Sequence, residues 1–300
     1  MSAFRAGTVA LVGPPNAGKS TLLNALLGEP LAIVAPKPQT TRRNLRGVLP
    51  LPDAQAVFID TPGFLQGENA LEWGMHQLAL EALRDADLVL ALVSRDTQDA
   101  WLKPGAPRLP KDRSVVLATK SDLGSLAASQ ELAEKMAAAL GLDRSLAISA
   151  LKKRNLQPLL DLVAAALPEG PPLLDLDALT DTDMRSVAAE VVREQTLMAC
   201  RDEVPHSVAV GIDQYTERKD GVHEIHATLY VERESQKGIV IGAGGARLKQ
   251  IGTRARGRLE RLCDAKVYLK LWVKVSKDWK ENPRFLKELG YPSGKKPHAR

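Results

Sequence analysis

Hydrophobic and polar positions along the chain follow two periods. Short apolar runs, rich in β-branched residues, recur at residues 8–12, 54–59, 88–93, 114–118 and 146–149. Such runs between turn formers read as strands buried on both faces. Between them the period lengthens to that of a helix, as in residues 21–27, which Gly28 and Pro30 bring to a stop. This alternation predicts an α/β domain: a mostly parallel sheet with helices on both faces and ligands beyond the carboxyl ends of the strands.

The pattern changes after Leu167-Pro168-Glu169-Gly170-Pro171-Pro172, a stiff, polar stretch that reads as a domain boundary. We expect one domain over residues 1–170, a linker over 171–182 and a second domain over 183–300. Met184, Val187, Ala188, Val191, Val192 and Leu197 recur at helical spacing, which predicts a helix over 183–201. Partial alternation at 208–215 and 224–233, around the turn Lys219-Asp220-Gly221, predicts an antiparallel hairpin. A glycine-rich, basic helical stretch and a last strand over 266–275 complete an α+β unit.

The polar positions that interrupt the first pattern carry chemistry. Directly after the first strand, Gly13, Pro14, Pro15, Asn16, Ala17, Gly18, Lys19 and Ser20 fit G-x-x-x-x-G-K-[ST]. Between a buried strand and a helix this is a phosphate-binding loop. Successive backbone N–H groups and the positive end of the helix converge on a diphosphate, and the glycines clear the approach. Lys19 is placed to reach the β/γ-phosphates and the Ser20 hydroxyl to hold Mg²⁺. The proline-punctuated stretch from Ala35 to Arg43 reads as a long loop, whose hydroxyl can join the Mg²⁺ shell when a γ-phosphate is present. Thr41 is the candidate, with Thr40 second. Asp60-Thr61-Pro62-Gly63 follows the strand at 54–59, so Asp60 can reach Mg²⁺ through water and the Gly63 N–H a γ-phosphate. Thr119-Lys120-Ser121-Asp122 follows the strand at 114–118. A carboxylate at Asp122 accepts guanine N1–H and its 2-amino group, a pair adenine does not offer, while Lys120 lies along the base. Ser149-Ala150-Leu151 can present a backbone N–H to guanine O6. The expected ligands are GTP and GDP with Mg²⁺.

In the second half, Lys237, Gly238 and Ile241 lead into Gly242-Ala243-Gly244-Gly245, followed by a helix bearing Arg247, Lys249, Arg254, Arg256, Arg258 and Arg261. This is the K-homology device, in which G-x-x-G lets a nucleic-acid backbone approach while single-stranded bases splay across a groove. The order helix, strand, strand, helix, helix, strand resembles the bacterial, type II variant.

Charge supports that division. The chain carries +5, but residues 233–300 hold 18 Lys+Arg against 6 Asp+Glu, which leaves −7 for residues 1–232. A polyanion partner for the C-terminal part follows, RNA and not DNA. Cys200 and Cys263 form no C-x-x-C pair, which argues against a zinc site or a disulfide framework. No apolar stretch reaches the ~18–20 residues of a membrane span, and strand and phosphate loop leave no room for a signal peptide, so a cytosolic protein is expected. His206, His223 and His226 belong to no catalytic constellation.

The motifs of the first half resemble those of translation-factor-type GTPases. Their guanine motif is usually N-K-x-D, and Thr119 stands at its first position, so weaker guanine affinity is expected with the preference for guanine kept by Asp122. Ras-like GTPases place a glutamine after the D-x-x-G glycine; Phe64 stands there and cannot orient a water, so intrinsic turnover should be slow. By resemblance to relatives with a hydrophobic residue at this place, Asn16 can hold a K⁺ near the phosphates.

The two halves together resemble the Era family of GTPases. The resemblance rests on Pro15 to Ser20, Gln39-Thr40-Thr41-Arg42, the run from Tyr230 through Gly242, Ile251 to Arg256, Leu271 to Val275, and Asp278-Trp279. It implies a monomeric GTPase that binds the 3′ end of 16S rRNA, assists maturation of the 30S subunit, and associates loosely with the inner face of the cell membrane. Ala243 stands where a lysine is common, which implies one phosphate contact fewer and a salt dependence weaker by about one unit of slope. The tail from Lys280, with Lys295 and Lys296, is expected either to add RNA contacts or to be disordered. The rival reading is a constitutive RNA-binding assembly protein with a hydrolysis-deficient nucleotide domain.

Overall fold

A computed structural model describes residues 3–34, 40–64, 67–200 and 204–294, without the side chains of residues 205 and 206. Ala35 to Gln39 of the long loop, the His206 side chain, Lys295 and Lys296 lie outside the described residues.

The first half is the expected α/β unit. Strand β1 (Arg5–Val12) is followed by helix α1 (Lys19–Leu27), β2 (Leu45–Leu51), β3 (Ala54–Asp60), α2 (Ala70–Asp85), β4 (Leu88–Val93), β5 (Ser114–Ala118), α3 (Leu126–Leu140), β6 (Ser145–Ala147) and α4 (Leu156–Ala166). The sheet order is β2-β3-β1-β4-β5-β6. Only β2 is antiparallel to its neighbour. β4 and β5 are buried along their whole length, as parallel strands covered on both faces should be. The chain leaves β1 towards β3 on one side and β4 lies on the other, so the phosphate loop sits where the strand order reverses, the usual place for a ligand in such a sheet.

β2 was not expected. Its sequence Leu-Arg-Gly-Val-Leu-Pro-Leu carries a proline and a glycine, which hide a strand in the sequence but are tolerated on an edge. Gly47 is required there: a Cβ would lie 2.6 Å from Leu27 of α1.

The segment expected as a free spacer is bonded to this edge. Leu173 and Leu174 N–H groups donate to Gln55 Oε1, Val48 N–H donates to Leu179 O, and the Thr180 hydroxyl donates to Arg46 O. Residues 173–180 thus extend the first domain and do not float between the two.

The second half follows as α5 (Met184–Ala199), α6 (Val204–Ser207), β7 (Ala209–Glu217), β8 (His223–Val231), α7 (Glu234–Ile241), α8 (Ala246–Cys263), β9 (Val267–Val275) and α9 (Pro283–Glu288). β7 and β8 form the antiparallel hairpin, turning at Gly221 with φ 76°, and β9 adds in parallel to β8. The inward residues of the three strands pack under α5, α7 and α8.

The tail corrects an expectation. Among the described residues it is neither free nor RNA-facing; it closes back on α2. Leu71 and Met75 of α2 share a buried cluster with Trp279, Leu286 and Tyr291. Gly294 N–H donates to Ala70 O at 2.9 Å. A Cβ on Gly74 would lie 2.5 Å from the Pro292 backbone. Apolar side chains at 285, 286, 289 and 291 at near-helical spacing give the tail something to bury, which its lysines obscured in the sequence.

Candidate functional site

The phosphate loop is shaped by its glycines. A Cβ on Gly13 would lie 2.8 Å from Leu92 O, and Gly18 enters α1 at φ 94°. Pro14 and Ala17 are buried, whereas Asn16 stands exposed at φ 63°, on the rim of a polar cavity of about 320 Å³ that Pro15, Lys19, Thr41 and Gly63 also line. Lys19 is buried and its Nζ donates to Gly13 O and Pro14 O, both at 3.0 Å. Burial pulls its ammonium down to about 8, against the opposing pull of Asp60.

Three oxygens converge beside it. Ser20 Oγ lies 2.9 Å from Thr41 Oγ1 and donates to Asp60 Oδ2 at 2.7 Å, and Thr41 Oγ1 donates to the same carboxylate oxygen at 3.1 Å. Burial raises the Asp60 carboxyl above its ordinary range, opposed by Lys19 and by the two hydroxyls. Asp60 Oδ1 is buried with no hydrogen-bond partner among the described residues. A hard divalent cation suits this set: hydroxyl and carboxylate oxygens, an orphaned acceptor, and a buried charge that gains from an added cation. Mg²⁺ characteristically takes few protein ligands and completes its shell with phosphates and water. Accordingly, no group of three His, Cys, Asp or Glu side chains able to hold a metal occurs among the described residues.

The D-x-x-G segment rests on the phosphate loop: a Cβ on Gly63 would lie 2.6 Å from Pro15 N. Its middle residues face inward. The Thr61 hydroxyl donates to Leu11 O at 2.7 Å, and Pro62 is buried. The Phe64 side chain is buried against Trp101, ring centroids 4.6 Å apart, and its N–H donates to Gly13 O at 3.3 Å. Of Thr61, Pro62 and Phe64, no side chain therefore points at a ligand; these residues brace the loop.

The base subsite is a mainly apolar cavity between the phosphate loop and the ends of β5 and β6, lined by Thr21, Val34, Thr119, Lys120, Asp122 and Leu151 among others. The Ser149 hydroxyl donates to Asp122, fixing one carboxylate oxygen. The Thr119 hydroxyl lies 2.7 Å from Ala17 O and 3.1 Å from Val93 O, so a single donor ties this loop to the phosphate loop. Ser121 is fully buried, and its N–H donates to Ile148 O. Ala150 lines the cavity and Leu151 is largely exposed at its edge. Lys120, at φ 58°, pairs with Asp96 at 3.0 Å. Asp96 was not anticipated, although it follows β4 just as the other motifs follow their strands.

Sequence reasoning also missed the contacts that flank Thr41. On one side Thr40 O accepts from Arg193 of α5, a fully buried guanidinium paired with Glu190 at 2.6 Å. Burial opposes the Arg193 charge, and Glu190 more than offsets it. On the other side Arg42 is 2% exposed, donates to Val208 O at 2.6 Å and lies 5.5 Å from the Trp279 ring. Burial and the nearby Arg193 pull its guanidinium down to about 10. Arg43 donates to Ser186 Oγ and Leu289 O and lies 4.7 Å from the Tyr291 ring. A second clamp joins Arg258 of α8 to Glu194 of α5 and to Pro30 O. Arg258 thus faces the first domain, which corrects its expected place among the RNA-facing residues. Its position shows why: with Ile251, Ala255 and Leu259 it falls on the buried stripe of α8.

The G-x-x-G turn joins α7 to α8. Gly242 has φ 72°, and a Cβ there would lie 2.8 Å from that of Arg247. Gly244 (φ 57°) and Gly245 (φ 80°) face open space. Arg247 donates to Ile239 O and closes the turn; Lys249 and Arg254 are exposed on α8, and Ala243 is exposed at the tip. Gly238 is exposed, Ile241 half-buried, and Lys237 pairs with Glu234 at 3.7 Å. Beside the turn runs a groove walled by Leu248, Gly252 and Arg256 of α8 and by Leu269 and Leu271 of β9.

Comparison with known proteins gives the same division. Residues 8–120 match the family described as 50S ribosome-binding GTPase, and residues 203–280 match the KH domain. The chain is similar to the GTPase Era of Geotalea daltonii, 44% identical over 294 residues that cover 96% of this chain and 98% of the relative. Among solved structures it is similar to an Aquifex aeolicus Era variant bound to GDP·AlF4⁻, with TM-score 0.89, 37% identity and coverage of 96% and 100% of the two chains. It is also similar to Era in complex with MgGDPNP and nucleotides 1506–1542 of 16S ribosomal RNA, with TM-score 0.90, 38% identity and coverage of 96% and 99%.

Proposed function

The chain belongs to the Era family of GTPases, and from that premise we propose that it holds the 3′ end of 16S rRNA under the control of GTP and assists maturation of the 30S subunit. The observation that carries the control is the placement of Thr41 between two residues, Thr40 and Arg42, that are bonded to the second domain.

In this reading the phosphate-loop N–H groups and Lys19 bind the β- and γ-phosphates, and Ser20, Thr41 and Asp60 hold Mg²⁺, Asp60 through water. The ion neutralises charge on the phosphate oxygens. The Gly63 N–H meets the γ-phosphate. Asp122, oriented by Ser149, selects guanine, and the Ala150 region closes over its edge. Phe64 is buried away from the phosphates, so no side chain at that place orients the attacking water and intrinsic turnover is slow. Asn16, on the rim, is the candidate K⁺ ligand; equal turnover in Na⁺ and K⁺ buffers would remove that role.

Without a γ-phosphate Thr41 loses its reason to stay on the metal, and the contacts of Thr40, Arg42 and Arg43 loosen with it. A ligand shifts such an equilibrium only through different affinity for its two states, and Thr41 supplies the difference. RNA lies along the open Gly244-Gly245 turn and the groove beside it, with Lys237, Arg247, Lys249 and Arg254 nearest the backbone. The name of the wider GTPase family refers to the large subunit. The neighbour that matches both domains was solved with small-subunit RNA, and we give it the greater weight. We further propose that the protein works as a monomer in the cytoplasm, with peripheral contact to the inner face of the cell membrane; no described helix is long and apolar enough to cross one.

The test is binding of a single-stranded copy of the 16S rRNA 3′ end, against a scrambled sequence, with GDP or a non-hydrolysable GTP analogue. Selective binding that is tighter in the GTP form is expected. Equal binding of both RNAs in both states would refute the controlled-factor reading. Absence of GTP hydrolysis with rRNA and K⁺ present would instead favour a constitutive binder.

A further inference from the structure

β9 is an edge strand, and its two faces differ in a way the RNA groove does not explain. Leu269 and Leu271 point to the groove side. The opposite face presents Tyr268, Lys270, Trp272 and Lys274, all exposed, with the two rings 42% and 43% accessible. A strand face that only meets solvent has no need of two large rings.

The chain covers the other end of this face and stops short of this one. Phe285 packs edge-on against Tyr230, ring centroids 4.9 Å apart, and Leu289 lies against Gly211. Nothing comparable covers Tyr268 or Trp272. Both rings are held in place: His226 meets Trp272 edge-on at 5.5 Å, and Arg218 and Lys270 lie 5.5 and 5.3 Å from the Tyr268 centroid. The nearest acid on the face, Glu224, is neutralised by Arg218 at 2.6 Å and by its bond to His226 at 2.9 Å. Lys270 and Lys274 are in no ion pair among the described residues. Rings therefore alternate with free cations along one strand, the chemistry of a single-stranded nucleic-acid platform: bases stack on rings and lysines meet phosphates. A duplex would keep its base faces hidden and could not use the rings.

The free edge of β9 is a lip between groove and platform. An RNA strand that leaves the groove past Leu269 and Leu271 needs only to cross one strand to reach Tyr268 and Trp272. The two rings are four residues apart, roughly 13 Å along the strand, with Lys270 between them.

We propose that the outer face of the second sheet, Tyr268, Lys270, Trp272 and Lys274, is a second binding surface for single-stranded RNA and takes nucleotides that run on from the groove. The proposal rests on the groove binding RNA.

The experiment uses the full chain with a non-hydrolysable GTP analogue and two single-stranded RNAs from the 16S 3′ end. One, of about five nucleotides, only fills the groove; the other, of about fifteen, extends past it. Tyr268→Ala and Trp272→Ala should each weaken the long RNA about 5- to 100-fold and leave the short RNA unchanged. Trp272→Phe, which keeps a ring, should retain most of the affinity. Lys270→Ala with Lys274→Ala should lower the salt slope for the long RNA by about 1.4 units, 0.7 for each phosphate contact. Wild-type protein that binds the long RNA no better than the short one would overturn the proposal while the groove reading stands, as would equal losses for both RNAs, or a protein captured on this face with RNA affinity unmoved. Failure of the wild type to bind the short RNA would overturn the groove reading and the proposal with it.

Discussion

Thr41→Val isolates the γ-phosphate sensor from the rest of the site. Valine keeps the shape of the side chain and removes one oxygen, the one that lies 2.9 Å from Ser20 Oγ and 3.1 Å from Asp60 Oδ2. The backbone on either side stays fixed, because Thr40 O still accepts from Arg193 and Arg42 still donates to Val208 O. The loss is therefore that of a single oxygen contact in a charged, buried site, about 1.5–3 kcal/mol, or roughly 10- to 150-fold in affinity. It should fall on the nucleotide that engages Thr41 alone. Equilibrium titration with fluorescent GDP and a fluorescent non-hydrolysable GTP analogue, in the same Mg²⁺ buffer, should show the second weakened by that factor and the first changed by less than about twofold. RNA affinity with the GTP analogue should then drop to its GDP value. Equal losses for both nucleotides would mean that Thr41 only packs the phosphate loop, and unchanged affinities would mean that it never meets the metal; either result refutes the sensor.

Thr119→Asn adds a second donor where one hydroxyl now serves Ala17 O. GDP binding should tighten about fivefold, one hydrogen bond of ~1 kcal/mol, with the preference for guanine over adenine unchanged; unaltered GDP affinity in a calorimetric titration would count against a shortfall at this position. Ala243→Lys places a cation at the exposed tip of the G-x-x-G turn, and the slope of log affinity against log salt should steepen by about 0.7. A slope that stays the same would place the tip away from the RNA backbone. Gly74→Ala puts a Cβ 2.5 Å from the Pro292 backbone. The clash, about 1–3 kcal/mol, outweighs the gain of up to ~1 kcal/mol in helix propensity, so limited proteolysis should release the C-terminal segment in the variant and spare it in the wild type.

Much of this architecture can be read from periodicity alone, for a physical reason. β4 and β5 coincide with the apolar runs at 88–93 and 114–118 because a strand covered on both faces must be apolar throughout. β2 could not be read, because an edge strand satisfies only one neighbour and so accepts Gly47 and Pro50. The phosphate and base motifs are contiguous in sequence, so their residues were found together, but which side chains face the ligand was not. Thr61, Pro62 and Phe64 share a segment with Asp60 and Gly63 yet point inward, since alternate residues leaving a strand face opposite ways. Asp96 and the partners of Thr41 were hidden more deeply. A buried arginine has the same letter as a solvated one, and only the position of Arg258 on an apolar stripe betrayed its burial in advance.

The buried arginines bear on why such an interface suits a switch. An apolar seam between the domains would gain with every Å² it buried and would be hard to part. Arg193 with Glu190 and Arg258 with Glu194 behave differently: what each pair gains in attraction is largely offset by the water it gives up, so closed and open arrangements lie near in energy. Each arginine also reaches a backbone carbonyl of the first domain, Thr40 O or Pro30 O, which water can satisfy after separation. An equilibrium poised in this way is moved tenfold by 1.4 kcal/mol, which lies within the contribution assigned to the Thr41 hydroxyl. The contacts that hold the domains together are thus of the kind that one oxygen at the nucleotide can tip.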